Sequence, residues 1–274
     1  MAMIQIENIK KTFASGDMSF RALSNINLSI EANEFVALVG ASGCGKSTLL
    51  RIVGGLETAS DGDIVVDGKQ VVGPGSDRAM VFQEYSLYPW LTVAQNILFP
   101  TRLKAQSSHA AQKNPESRFR TLLECMGLDE FEHAYPSTLS GGMRQRVAIA
   151  RALMTEPKIL LMDEPFGALD AQTREVMHEL ITYLFQIEKS TILFVTHDVD
   201  EAIYLADRVV VMSTNPGEID GIYEVPRQDE SQSTEDFRMT RSFLELKKTI
   251  VGRIRATSNI FTDIEKLKRL GIGK

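Results

Sequence analysis

The sequence predicts an α/β core that is interrupted by a helical subdomain and followed by a C-terminal appendage. Short apolar strands alternate with helical stretches on both sides of a long central segment, as in layered α/β domains. The central segment has apolar residues spaced three and four apart, which indicates helices. Pro216-Gly217 marks a break, after which the chain is more polar.

The N-terminal part of the chain is rich in short strands separated by Gly and Asp. The predicted strands are Ile4–Ile9, Ile26–Ile30, Phe35–Val39 and Ile64–Val66. A glycine-rich loop follows the third strand, and we expect it to open a helix from about Lys46 to Val53.

The central segment, about 85–153, is predicted to be helical, with Phe119, Leu122, Leu123 and Met126 on one helix face. The α/β alternation then resumes. We predict a strand at Ile159–Met162, a helix at Ala171–Glu188, a strand at Thr191–Val195, a helix from Val199 and a strand at Val209–Met212.

The C-terminal appendage has two modest amphipathic patterns. One consists of Phe243, Leu246, Ile250 and Ile254, and the weaker one of Ile260, Ile264 and Leu267. Two interpretations stay open: helices packed on the core or on a second copy of the chain, and a regulatory docking element.

Bulk composition narrows the function classes. The chain has 274 residues and a net charge of −6 without a dense basic stretch, so nucleic acid is not an expected partner. Its two cysteines are too few for a disulfide framework. We see neither a secretory leader nor an apolar run long enough to span a bilayer. We therefore expect a cytoplasmic protein, soluble by itself, that acts at a membrane only by docking.

A glycine loop at residues 40–47 fits the pattern G-x-x-x-x-G-K-[ST], in the strand–loop–helix context that this phosphate-binding motif requires. Its glycines allow backbone N–H groups to surround phosphates, at a helix N-terminus that favours anions. Lys46 is expected to reach the terminal phosphates, and the Ser47 hydroxyl to bind Mg²⁺. We interpret Cys44 as a small loop residue and not as a redox site. The candidate phosphate-site residues are Gly40, Ser42, Gly43, Cys44, Gly45, Lys46, Ser47 and Thr48.

A second candidate site lies at the end of the strand predicted at Ile159–Met162, where two carboxylates follow. Asp163 is placed to hold the Mg²⁺ shell, and Glu164 to polarise an attacking water as a general base. Solvated carboxylates are common at strand ends, so these two carboxylates indicate a catalytic site only in combination with the glycine loop.

The stretch Leu139-Ser-Gly-Gly-Met-Arg-Gln-Arg146 completes a set of motifs that resembles the ATP-binding cassette family over roughly residues 3–225. The resemblance implies a P-loop core with an N-terminal antiparallel β subdomain, an inserted helical subdomain and a C-terminal helical extension. It also implies that Ser140, Gly141 and Gly142 bind the terminal phosphate held by the glycine loop of another subunit. Two ATP molecules would then lie between two cassettes, supplied by a second copy of the chain or by a paralogue.

Four further positions match the family pattern. The resemblance implies that Gln83 senses metal and water, that Asp170 in Ala168-Leu169-Asp170 communicates across the dimer, and that His197 contacts the γ-phosphate. Phe13 is the candidate for stacking on adenine, with a core aromatic as the alternative.

Three stretches of sequence resemble those of import ATPases for nitrate, alkyl sulfonates, taurine and related small anions. These stretches are Val72–Gln83, Leu87–Val93 and Met143–Arg151. The segment Tyr85–Trp90 follows Gln83, where family members dock on the coupling helix of a membrane permease that works with a solute-binding protein. Internal packing of these aromatic residues is the alternative.

The resemblance divides the chain into an ATPase domain at 1–225 and a C-terminal extension at 226–274. It implies a peripheral protein on the cytoplasmic face of the inner membrane. Cassette ATPases of another importer, of an exporter or of a soluble system are the rival classes. A chromosome-maintenance ATPase is excluded, because Lys46 and Ser140 are 140 − 46 = 94 residues apart, too few for a long coiled-coil insertion.

Overall fold

The computed structural model describes residues 2–15, 18–106, 115–226 and 234–258. The strands are β1 (Ala2–Ser15), β2 (Met18–Glu31), β3 (Phe35–Gly40), β4 (Asp61–Val66), β5 (Lys69–Gln70), β6 (Arg78–Val81), β7 (Ile159–Asp163), β8 (Thr191–Val195), β9 (Arg208–Met212) and β10 (Ile219–Glu224). The α-helices are α1 (Lys46–Val53), α2 (Val93–Gln106), α3 (Pro115–Cys125), α4 (Gly141–Leu153), α5 (Ala171–Glu188), α6 (Val199–Leu205), α7 (Thr234–Arg238) and α8 (Arg241–Thr257). Two compact units form, one from residues 1–74 with 193–274 and the other from 75–192.

The first unit contains an antiparallel sheet with the strand order β2-β1-β4-β5. Alternating residues of its two long strands are buried, among them Ile4 and Ile6 of β1 and Ile26 and Leu28 of β2. This period of two is expected for a sheet with one face on a core and one face in solvent.

A second set of strands in this unit carries the glycine loop. Strand β3 pairs in parallel with β9, which pairs antiparallel with β10. All six residues of β3 are buried, as is typical of a strand covered on both faces. Phe35 and Phe194 meet edge to face, with ring centroids 5.8 Å apart. The rigid end of β3 therefore holds the start of the glycine loop.

Helix α8 packs against α6 and β9 through Phe243 and Ile250, both of which are buried. Lys247 donates to the Asp200 carboxylate at 2.7 Å. The first C-terminal helix predicted from the sequence is thereby confirmed, and it lies on the core of its own chain.

In the second unit, β6 and β7 pair in parallel, and α4 packs against α2 and β6. Helix α3 buries Phe119, Leu122 and Leu123, the face that the apolar spacing predicts. Short 3-10 helices at Asp129–Phe131 and Pro136–Thr138 lead into α4. The result is a helical region attached to a parallel strand pair that ends in Asp163.

The strands and helices predicted along the core are confirmed, although β1 and β2 are much longer than the apolar runs that predicted them. No strand was predicted after Pro216-Gly217, but β10 forms there and pairs with β9. The stripe of Ile260, Ile264 and Leu267 lies outside the described residues. Within the ranges given above, every helix is too short or too polar to span a bilayer.

Candidate functional site

The glycine loop runs from the end of β3 to the first turn of α1. Gly43 and Gly45 have φ values of 78° and 95°, in the left-handed region that favours glycine. Gly45 is the N-cap residue of α1, and it makes no capping hydrogen bond because it has no side chain. A Cβ at Gly45 would lie 2.5 Å from Leu23 Cδ2, so β2 closely supports this turn. The N–H groups of the first helical turn are thus not covered by a capping side chain or an acidic residue.

Lys46 lies within the loop and is 6% exposed. Its ammonium donates to the carbonyl oxygens of Gly40 at 2.8 Å and Ala41 at 3.3 Å, and it is 3.7 Å from Cys44 Sγ. Cys44 is completely buried, as expected for a small loop residue. Ser42 is exposed, and Ser47 and Thr48 are half-buried. A positive charge is therefore held inside the loop that leads into α1, and a cation together with a helix N-terminus suits phosphate.

His197 follows β8 in the first unit and is exposed. The N–H of Thr196 donates to the carbonyl of Leu38 at 3.2 Å, which ties the residue before His197 to β3 two residues before Gly40. Asp198 caps α6 by accepting from the N–H groups of Asp200 and Glu201. The glycine loop and the His197 turn therefore leave neighbouring strands at the same place.

Phe13 is 41% exposed and lies opposite Phe20 in the β1–β2 pair. The Lys11 ammonium is 4.8 Å from the centroid of its ring. Because Phe13 is on the surface, its interpretation as a core aromatic is wrong. Phe20 is 54% exposed and forms a second aromatic surface there, which the sequence reasoning missed.

In the second unit, Asp163 is 3% exposed at the end of β7, and Glu164 follows it in a half-buried position. Gln83 Nε2 donates to Glu164 Oε2 at 3.4 Å, although 81 residues separate the two in sequence. Glu164 has a φ of 45° immediately before Pro165, a left-handed conformation that is rare for such a residue. Backbone strain of this kind is concentrated at functional sites.

Ser140 is the N-cap of α4, where its hydroxyl accepts from the N–H of Met143 at 3.2 Å. Gly141 and Gly142 form the first helical turn, which contains no acidic residue. A Cβ at Gly141 would lie 2.9 Å from the Tyr85 hydroxyl, and one at Gly142 would lie 3.1 Å from Leu169 Cδ2. A Cβ at either position would therefore press on the side chain of Tyr85 or Leu169, which would have to shift.

Asp170 is exposed and caps α5. Its carboxylate accepts from the Thr173 N–H at 3.0 Å and from the Thr173 hydroxyl at 2.7 Å. These hydrogen bonds, the backbone one first, hold the pKa of Asp170 below its ordinary value. Its local role in the structure is to begin a helix.

The Tyr85–Trp90 segment is only partly exposed. Trp90 is 69% exposed, but Tyr85, Leu87 and Tyr88 are half-buried. Tyr88 packs on Phe99 with centroids 4.5 Å apart. The segment therefore combines an exposed aromatic residue with internal packing.

Comparison with known proteins identifies the chain. The family model described as ABC transporter matches residues 23–167. The nitrate import ATP-binding protein NrtD of Synechocystis is 49% identical, covering 87% of this chain and 89% of that protein. The aliphatic sulfonates import ATP-binding protein SsuB of Bacillus thuringiensis is 44% identical, covering 86% and 92%. An uncharacterized ABC transporter ATP-binding protein of Methanocaldococcus jannaschii is 46% identical, covering 92% and 91%.

A similar solved structure is the dimeric post-hydrolysis state of an ATP-binding cassette bound to ADP and Pi. It superposes with a TM-score of 0.74 at 33% identity and covers 82% of this chain and all of that chain. Together with the strand–loop–helix geometry, these matches define a P-loop ATPase with a cassette fold. The chain belongs to the ABC transporter family, as the resemblance predicts, and it is an ATP-binding ATPase.

Proposed function

We propose that the chain is the ATP-hydrolysing subunit of a membrane ABC importer for a small anion such as nitrate, a sulfonate or taurine. The observation that carries this proposal is the similarity to nitrate and sulfonate import ATP-binding proteins over about nine-tenths of their length. The phosphate-handling motifs are all present, which supports an active enzyme.

Phosphate binding is assigned to the glycine loop. We propose that its backbone N–H groups, with the side chains of Ser42, Ser47 and Thr48, surround the β- and γ-phosphates, and that Lys46 exchanges its carbonyl partners for phosphate oxygens. His197 contacts the γ-phosphate, and Phe13 stacks on adenine. The support for these roles is the left-handed glycine backbone, the lysine held inside the loop and the exposure of His197 and Phe13.

Mg²⁺ would be held by Ser47, Asp163 and Gln83. A hydroxyl, a carboxylate and an amide oxygen are hard ligands, and they suit a cation that keeps several waters and binds phosphate oxygens. When bound, Mg²⁺ neutralises charge on the phosphates. Among the described residues there is no group of three or more His, Cys, Asp and Glu side chains that could hold a metal.

Glu164 is the proposed general base, and Gln83 orients it. The hydrogen bond between them and the left-handed backbone at Glu164 support this assignment, because both hold the carboxylate in one direction. The base takes a proton from water as that water attacks the γ-phosphate.

The start of α4 is the second phosphate site, formed by Ser140, Gly141 and Gly142. Its first turn contains no acidic residue, which supports a pairing in which each copy, or a paralogue, completes the other's ATP site. Asp170 is the proposed contact across this pair. The dimeric solved relatives support the same arrangement.

Docking on permease subunits is assigned to the Tyr85–Trp90 segment, and a solute-binding protein delivers the anion to that permease. The exposed Trp90 supports this role. The chain would then act as a peripheral protein on the cytoplasmic face of the inner membrane. We retain residues 1–225 as the ATPase domain, with the helical subdomain at about 85–153, and 226–274 as the extension.

The Glu164→Gln variant tests this mechanism. We expect ATP hydrolysis to fall by about 10²–10⁴-fold, because general-base help is lost, while ATP binding persists. Light scattering with MgATP should then detect a trapped dimer. Glu179→Gln, on the exposed face of α5, is the matched control. Near-normal turnover in Glu164→Gln would place the base elsewhere.

The cargo needs a separate experiment. Deleting the gene from its source organism should impair growth when nitrate is the nitrogen source or an alkanesulfonate or taurine is the sulfur source. Normal growth on all of them would favour the alternative, an ABC ATPase of another importer or exporter. A soluble ABC ATPase outside transport is the weaker alternative.

A further inference from the structure

Tyr85 has a set of contacts that its proposed docking role does not explain. It lies two residues after Gln83, yet its side chain reaches the start of α4. Its hydroxyl is 2.9 Å from the place of a Cβ on Gly141, and its ring lies under the Arg144 guanidinium, with 5.0 Å from Cζ to the ring centroid. Glycine at 141 therefore makes room for this tyrosine.

Arg144 continues the contact to the residue before Ser140. Its Nη1 donates to the carbonyl of Leu139 at 2.5 Å. The Tyr85 side chain therefore lies beside Gly141, just after Ser140, and is connected through Arg144 to the carbonyl of Leu139, just before Ser140. A cation over an aromatic ring is attractive, and it is stronger where water is partly excluded.

Arg151 holds the backbone of the same segment from further along α4. It donates to the carbonyl of Ser86 at 2.8 Å and to that of Tyr85 at 3.5 Å. Ser86 has a φ of 48°, a left-handed conformation that persists only where surrounding contacts hold it. Burial lowers the pKa of the Arg151 guanidinium, so these carbonyl bonds offset an unfavourable desolvation.

The other end of the segment joins the proposed catalytic pair, since Gln83 donates to Glu164. A short, strained stretch of chain thus connects the proposed general base to the proposed second phosphate site. Every contact in this connection lies within residues 75–192, one compact unit.

We propose that Tyr85 is a positioning residue that holds the Ser140–Gly142 helix start in register with the Gln83–Glu164 pair. Through it, capture of a partner's γ-phosphate at Ser140 is linked to the placement of the base for the chain's own ATP. This inference rests on the proposed function, because it uses the roles assigned there to Ser140 and Glu164.

Hydrogen exchange on the nucleotide-free full chain tests the connection without needing a dimer. In Tyr85→Ala, the amides of Met143 and Arg144, which are hydrogen-bonded to Ser140, should exchange about fivefold faster or more, the lower range of typical coupling between sites. Tyr85→Phe keeps the ring under Arg144 and should stay within about twofold of the wild type. Tyr183→Ala, an exposed tyrosine on α5, is the matched control and should change nothing.

Dimerisation supplies the functional readout. In the Glu164→Gln background, Tyr85→Ala should raise the ATP concentration for half-maximal dimer formation by about fivefold or more. Nucleotide affinity of the monomer should stay unchanged, which a merely unfolded variant would not show. A dimer that never forms in Glu164→Gln alone would contradict the proposed function, and the exchange result then decides the inference by itself. Exchange in Tyr85→Ala equal to that in Tyr183→Ala would overturn it.

Discussion

Helices α1 and α4 both start next to glycine and serine residues, but they differ in the residue that caps the N-terminus and in the charge beside it. Helix α1 has a left-handed glycine cap and a nearly buried lysine within its loop. Helix α4 is capped by its own serine hydroxyl and has no acidic residue in its first turn. The first site carries its own cation, and the second offers only N–H groups, a hydroxyl and the helix dipole.

Because of this difference, we expect the first site to bind polyphosphate by itself and the second site only to complete the binding of a phosphate that is already held. A loop that holds a cation and leads into a helix N-terminus can bind polyphosphate by itself. A capped helix start supplies weaker attraction, which suits a group that is already held elsewhere. The asymmetry agrees with the proposed sharing of each ATP between two chains.

The largest expected effect comes from removing the cation of the first site. Lys46→Met should lower ATP turnover by about 10²–10³-fold, as for loss of a preorganised charge-stabilising donor. ATPase assays with a fluorescent-nucleotide binding titration check this. Lys69→Met, at an exposed position in β5, is the control. A Lys46→Met enzyme with normal turnover would remove the distinction between the two helix starts.

The next largest expected effect is a loss of stability when a glycine of the loop with a positive φ is replaced by alanine. Gly43→Ala should cost about 1–2 kcal/mol, because its φ of 78° disfavours any Cβ although space there is open. Gly45→Ala should cost about 1–3 kcal/mol more, because its Cβ would also press on Leu23 and the Ala22 carbonyl. Urea unfolding of both variants measures the difference, and equal losses would show that β2 does not support the loop.

Ser140 has two roles at the proposed second phosphate site, helix capping and phosphate contact, and two substitutions can test them separately. Ser140→Ala should lose about 1 kcal/mol of stability, because the bond to the Met143 N–H disappears. Ser140→Asp keeps a good cap and should retain stability. Its negative charge should nevertheless abolish ATP-dependent dimerisation in the Glu164→Gln background. If Ser140→Asp still dimerises, phosphate does not bind at this helix start.

The smallest expected effect is on the pH dependence of stability, and it comes from Asp170, the N-cap residue of α5. Its folded pKa is lowered, so its carboxylate stabilises the fold above the ordinary value and loses that contribution as the pH falls below about 4. Asp170→Asn removes this titration, so stability should depend less steeply on pH in that range. Thermal unfolding from pH 5 to pH 3 compares the two proteins. Identical slopes would mean that the Thr173 hydrogen bonds do not persist in solution.

The apolar pattern predicted the buried strands and the helices well, because their spacing follows directly from strand and helix geometry. It missed β5, β6 and β10, and in β10 the stretch Ile219–Glu224 mixes apolar with Gly and acidic residues without regular alternation and remains partly exposed. Pairing with β9 makes that strand, and pairing is not a local property. The place of Phe13 within a strand was also missed, because β1 continues past the apolar run that predicted it.

The sequence by itself was enough to predict the proposed chemistry, because the glycine loop, the serine–glycine helix start and the Asp163–Glu164 strand end are contiguous motifs whose function depends on neighbouring residues. Only the tertiary structure decided which distant residues meet. Gln83 reaches Glu164 across 81 positions, and Tyr85 packs on Gly141. Such contacts depend on how the strands and helices pack, and that packing depends on burial and shape, which no short stretch of sequence contains.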